Sequence, residues 1–140
     1  MATVTEEPAG RTAVVWAGRI IGAGLLAAMA GIHIYLWGDG YRDIPTIGLL
    51  FLLNGIGGGI LALAVLCTPN RWLPVVAGLS ALFTLGTLLA LVISLTGGLF
   101  GIQEQLRTPF VVTTLIVEGA GVVELTLLAF LDRMRKPGLR

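Results

Sequence analysis

Charge, cysteine and histidine are what this sequence has least of. Of its 140 residues 12% are charged, one is a cysteine (Cys67) and one a histidine (His33). A soluble domain carries about a quarter charged residues to cover its core. With 56% hydrophobic residues and a mean hydropathy of +0.93, this chain has too little polar surface to face water, and lipid is the expected solvent. The lone Cys67 excludes an intrachain disulfide and a cysteine cage for a metal. At the end of an apolar run it reads as a buried, inert thiol. A net charge of +1 leaves no basic field to attract nucleic acid. No Ser-His-Asp order, nucleotide-binding loop or metal-ligand spacing occurs, so an enzyme is not expected.

What is present is four long apolar runs, about 13–37, 47–67, 72–96 and 109–131. Each has roughly the 20 residues that span ~30 Å of hydrocarbon at 1.5 Å per residue. Nothing alternates with period two, which excludes a membrane barrel. Helices satisfy their own backbone in lipid, so the expected fold is all-α, a bundle of four transmembrane helices running up-down-up-down. Residues 1–12 read as a polar tail, 13–132 as the membrane domain and 133–140 as a basic tail. Ala28-Met29-Ala30 has the look of a signal-peptidase site. Glu6 and Glu7 in the leader, and an apolar run that continues through Leu36, favour a retained span.

Short-loop charge sets the expected orientation. Arg11, Arg19, Arg71, Arg133, Arg135, Lys136 and Arg140 collect on one side, and only Arg42 and Arg107 on the other. The bias predicts a multi-pass plasma-membrane protein with both termini in the cytoplasm. Trp16, Trp37 and Trp72 fall near the predicted boundaries, as an aromatic belt requires. Thr68-Pro69-Asn70-Arg71 is a tight inner turn that makes its flanking helices antiparallel neighbours. The outer loops are longer, and Gln103-Glu104-Gln105 suggests one turn of interfacial helix.

Small residues set how such helices approach one another in lipid. Gly18 and Gly22, Ala27 and Gly31, the glycines from Gly55 to Gly59, and Gly119-Ala120-Gly121 are expected at packing surfaces, within the bundle or between protomers. On the third helix Ser80, Thr84, Thr87 and Ser94 share one face. Such a stripe lines a polar path or, more commonly, bonds carbonyls one turn back.

A charge at the bilayer centre costs ~3 kcal/mol or more, which singles out Glu118, Glu124 and Arg19, with Asn54 as a further buried polar group. Glu118 and Glu124 are six apart, hence ~120° apart around a helix, and do not form a carboxylate pair. Arg19 and Glu124 lie at similar depth and are expected to form a structural ion pair. Glu118 has no cation at its depth. It reads as a neutral carboxyl bonded to a Thr, to Asn54 or to a carbonyl, with proton or ligand binding as the alternative. His33, one turn before Trp37, is expected at the interface, bonding the first outer loop. With Tyr41, Arg42 and Asp43 it forms the candidate docking surface. No cofactor or metal is expected. Haem or a metal through His33 needs two protomers to share a site, and zinc needs Asp39 or Asp43 as well.

The stretches His33-Ile34-Tyr35-Leu36-Trp37, Gly40 to Gly48 and Leu50 to Asn54 resemble a group of small actinobacterial four-helix integral membrane proteins. The bias toward Arg, Ala, Gly, Val and Leu agrees with a high-GC genome. The resemblance implies that His33 to Asn54 is the functional or assembly centre, and implies no reaction. The expected function is non-enzymatic assembly, as a homo-oligomer or an accessory subunit of a larger membrane complex, with lipid and other membrane subunits as partners. The rival expectation is a small transporter or channel in which Glu118 couples proton or ligand.

Overall fold

The computed structural model describes residues 7–133, and these build four helices and no strand: α1 Glu7–Gly38, α2 Ile47–Cys67, α3 Leu73–Thr96 and α4 Val111–Arg133. All four are long and apolar enough to cross a membrane. The chain is an all-α four-helix bundle with the polarity of a membrane protein. Its outward faces carry leucine, isoleucine, valine and phenylalanine, while Arg19, His33, Asn54, Ser80, Thr84, Ser94, Thr114 and Glu118 are buried.

Helix α1 begins six residues before the expected boundary, so the second half of the expected polar tail is helical. Pro8 sits in the first turn, where its missing N–H removes no intrahelical bond. At 32 residues, or ~48 Å, α1 is longer than the hydrocarbon is thick and runs beyond it or tilts. Helix α4 starts at Val111 because Pro109 and Phe110 form a turn, Phe110 at φ 67°. The basic tail beyond Arg133 lies outside the described residues. Cys67, expected to be buried, is exposed at the end of α2.

Helices α1 and α2 pack closely, as do α3 and α4, and α1 also lies against α4. Glycine permits these approaches. A Cβ at Gly22 would stand 3.0 Å from Leu125 Cδ2, and one at Gly18 3.0 Å from Leu128 Cδ1. At Gly58 it would meet Met29 Cε at 3.0 Å. The α2–α3 pair differs from expectation. Joined by the shortest connection, the two helices nevertheless touch only lightly. The bulky Phe83 stands between them against Gly57, and the splay opens a cleft toward the end of the bundle away from the termini.

The α1–α2 and α3–α4 connections are built from turns. Tyr41–Asp43 form a 3₁₀ turn whose carbonyls at Tyr41 and Arg42 lie against Gly48, 2.7 Å from where a Cβ would be. Between α3 and α4 the expected interfacial helical turn at Gln103–Gln105 is absent. Leu99 and Ile102 instead exchange backbone hydrogen bonds of 2.7 and 3.0 Å across a turn that uses Gly98 and Gly101 at φ +80° and +83°. Glycine reaches those angles without a Cβ penalty.

Candidate functional site: a cleft in the half of the bundle away from the termini

The splay of α2 from α3 leaves a cavity of about 460 Å³ in the half of the bundle away from the termini. Most of its wall is apolar, from Leu50 and Leu53 on α2, Leu82 and Leu91 on α3, and Phe110 and Val111 at the start of α4. The volume falls within the range of small-molecule sites, which are concave and mostly apolar with a few placed polar groups.

The polar groups come from all four helices. His33 is buried rather than interfacial, which corrects the expectation drawn from its proximity to Trp37. Its Nδ1–H donates to Met29 O one turn back at 2.9 Å. With that proton placed, Nε2 accepts from Asn54 Nδ2 at 3.1 Å. Glu118 Oε1 stands 4.0 Å from the same Nε2. Glu118 is 1% exposed, and its two carboxyl oxygens and Asn54 Oδ1 have no hydrogen-bond partner among the described residues. Asn54 does not bond Glu118, and the Thr87 hydroxyl stands near the carboxyl without forming a hydrogen bond of good geometry. The basic group absent from the sequence-level picture is the imidazole of His33. Phe51 holds that ring from the other side, with centroids 5.0 Å apart, and stacks on Tyr41 at 4.6 Å.

At the mouth, Tyr41 donates its hydroxyl to Glu104 and so ties the first outer loop to the second. Burial pushes the Tyr41 phenol up from its ordinary value, and the Glu104 carboxylate pushes it the same way, so the donor stays protonated at neutral pH. Arg42 pairs with Asp43 at 3.6 Å on the open surface and does not reach Glu104. His33 does not reach this loop, so the expected docking group divides into a cavity wall (His33, Tyr41) and an exposed pair (Arg42, Asp43). The α3 stripe also divides. Ser80 and Thr84 donate to Val76 O and Ser80 O one turn back, and do no more. Thr87 and Ser94 line the cavity, with Thr87 bonded to Thr84 O and Ser94 to Ile102 O.

The expected Arg19–Glu124 ion pair does not form among the described residues. Arg19 donates Nη1 to Val65 O (2.8 Å) and Leu66 O (3.1 Å), and Nη2 to Thr68 O (2.8 Å) and Asn70 Oδ1 (2.7 Å). Helix α2 ends before Pro69, with Thr68 already extended at ψ 140°. Its last carbonyls therefore lack intrahelical donors, and a guanidinium there both satisfies them and complements the helix dipole. Trp16 lies 5.4 Å below the same guanidinium. Glu124 is half-buried, with Oε1 close to Gly18.

Thr114, Glu104 and Phe110 complete the cavity and were not candidates on sequence grounds. Only the position of Thr114, four residues before Glu118 on the same helix face, carried a signal. No family model, curated protein or solved structure matches this chain.

Proposed function

We propose that this chain binds a compact, largely apolar molecule within the membrane, as a small transporter or a ligand-binding subunit, with Glu118 as the ligand-coupling residue. One observation carries the proposal: a cavity of ligand size reaches a buried carboxyl whose oxygens have no well-formed hydrogen bond among the described residues. A group needed only for assembly would be satisfied internally, since an unpaired buried acceptor costs ~1–3 kcal/mol. Such an expense at a cavity wall is the mark of a site. The charge bias of the loops supports a plasma-membrane orientation with both termini in the cytoplasm, and the cavity then opens on the outer side.

The proposal is tested with phenylbutanol, a neutral probe with an apolar body. Protein in phosphatidylcholine nanodiscs should bind it saturably, and the double variant Gly86→Leu, Ala90→Leu should lose that binding. Both positions line the cavity, and a Cβ at Gly86 meets nothing within 4 Å. Saturable binding that survives the double variant would place the site elsewhere; no binding would reject the proposal.

A second reading, assembly as a homo-oligomer or accessory subunit, draws on Gly31, Gly59 and Gly119. A Cβ at any of them would meet nothing within 4 Å, so they are not spent on packing inside the bundle. Native mass spectrometry of the purified chain separates this reading from the first: a stable oligomer that binds no probe favours assembly.

A further inference from the structure

We propose, resting on the binding reading above, that the polar end of the ligand is a primary ammonium. The floor of the cavity is rich in acceptors and short of donors. Glu118 Oε1, Glu118 Oε2 and Asn54 Oδ1 are three buried oxygens without a donor, and both residues flank His33 Nε2. Three nearby donors are bonded to other groups, with the Thr87 hydroxyl also in reach of Glu118. The Thr87 hydroxyl bonds Thr84 O, His33 Nδ1–H bonds Met29 O, and Asn54 Nδ2 bonds His33. No lysine or arginine lines the cavity.

An ammonium offers three donors and no acceptor, which matches three acceptors in number and in kind. It also supplies the one thing an ionised carboxylate at this depth lacks, a countercharge, without which burying the ion is prohibitive. A hydroxyl brings one donor and no charge, and a carboxylate ligand would set like charge against Glu118. The apolar wall adds to the match, because Phe51 and Phe110 with the leucines around them bury the ligand's apolar body. An ammonium joined to an apolar body reaches this site either as a free amine or as the headgroup of phosphatidylethanolamine. The chemistry at Glu118 is the same for both.

The experiment compares phenylbutylamine, phenylbutanol and phenylbutyrate on the full chain in phosphatidylcholine nanodiscs, with empty discs subtracted. The amine should bind at least tenfold more tightly than the alcohol, and the carboxylate weakest. Glu118→Gln should bring the amine down to the level at which the parent binds the alcohol, and a near-parental unfolding midpoint in the same discs reports that the variant is folded. Should Glu118→Gln fail to fold, Asn54→Leu serves instead, with a partial loss of the amine preference expected. Equal binding of amine and alcohol by the parent, or an amine preference that survives Glu118→Gln, would overturn the ammonium assignment and leave the binding reading standing. Failure of all three probes to bind would overturn both. Repeating the titration in discs that contain phosphatidylethanolamine distinguishes the sources: a weakened apparent amine affinity identifies the lipid headgroup as occupant, and an unchanged one identifies a free amine.

Discussion

At the end of the bundle that carries the termini, a buried arginine has three backbone carbonyls and one side-chain amide to donate to. At the opposite end, a buried glutamate has no well-formed hydrogen bond among the described residues. The same chain thus handles an intramembrane charge in two ways within one fold. Around Arg19 the helices close on glycine, with Gly18 and Gly22 against Leu128 and Leu125, and the core residues Leu26, Val65 and Leu73 are at most 1% exposed. Around Glu118 the helices part, and Thr46, Phe100 and Phe110 take left-handed φ angles of 68°, 50° and 67° that glycine would adopt more easily. Strain and unpaired polar groups concentrate where a protein has work to do, and the four acceptors on the terminal nitrogens of Arg19 mark the scaffold. The half that carries the termini is the clamp and the opposite half is the site.

The largest effect expected from this contrast is on Arg19. Arg19→Ala strips the donors from the C-terminus of α2 and should destabilise the protein by about 3 kcal/mol or more, since each orphaned buried acceptor costs ~1–3 kcal/mol. Thermal or denaturant unfolding in detergent micelles measures it, and Glu124→Gln should not reproduce it. A loss of equal size in Glu124→Gln would restore the ion pair expected from depth alone. Next comes Gly48→Ala, which sets a methyl against the carbonyls of Tyr41 and Arg42, backbone that cannot swing aside. A cost of about 1–3 kcal/mol is expected by analogy with overpacked cores, together with weaker probe binding as the outer loop shifts. Smallest is Glu118→Gln. Exchanging one unpartnered group for its isostere should alter stability by no more than ~1 kcal/mol, because no protein bond is lost. A large loss there would mean that Glu118 supports the fold and would erase the contrast between the two halves.

Hydropathy made the four spans legible, because lipid imposes the same demand on every residue of a spanning helix. The site was half legible. Glu118 and Asn54 stand out as polar groups in apolar runs, but His33 was assigned to the interface through its neighbour Trp37. Depth counting corrects this. His33 is five residues before the end of α1, Asn54 seven after the start of α2 and Glu118 seven after the start of α4. At 1.5 Å per residue all three lie roughly 8–11 Å from the helix ends that face away from the termini. The same reasoning failed for Arg19 and Glu124, because an inventory of side chains omits the carbonyls that a helix leaves unpaired where proline stops it. The cavity itself was not legible. It exists because α2 and α3 diverge after a short turn, and divergence is decided by packing of particular side chains, Phe83 against Gly57 among them, that periodicity does not encode.

That Glu118 is reachable from the cavity is the claim on which the rest depends, and an apolar carbodiimide tests it directly. Dicyclohexylcarbodiimide partitions into lipid and couples to protonated carboxyls it can touch. Treated in nanodiscs and read by peptide mass spectrometry, the parent should carry the adduct on Glu118. The double variant Gly86→Leu, Ala90→Leu, with the cavity filled, should carry little or none. An unlabelled Glu118 in the parent, or labelling that is indifferent to filling the cavity, would contradict the account.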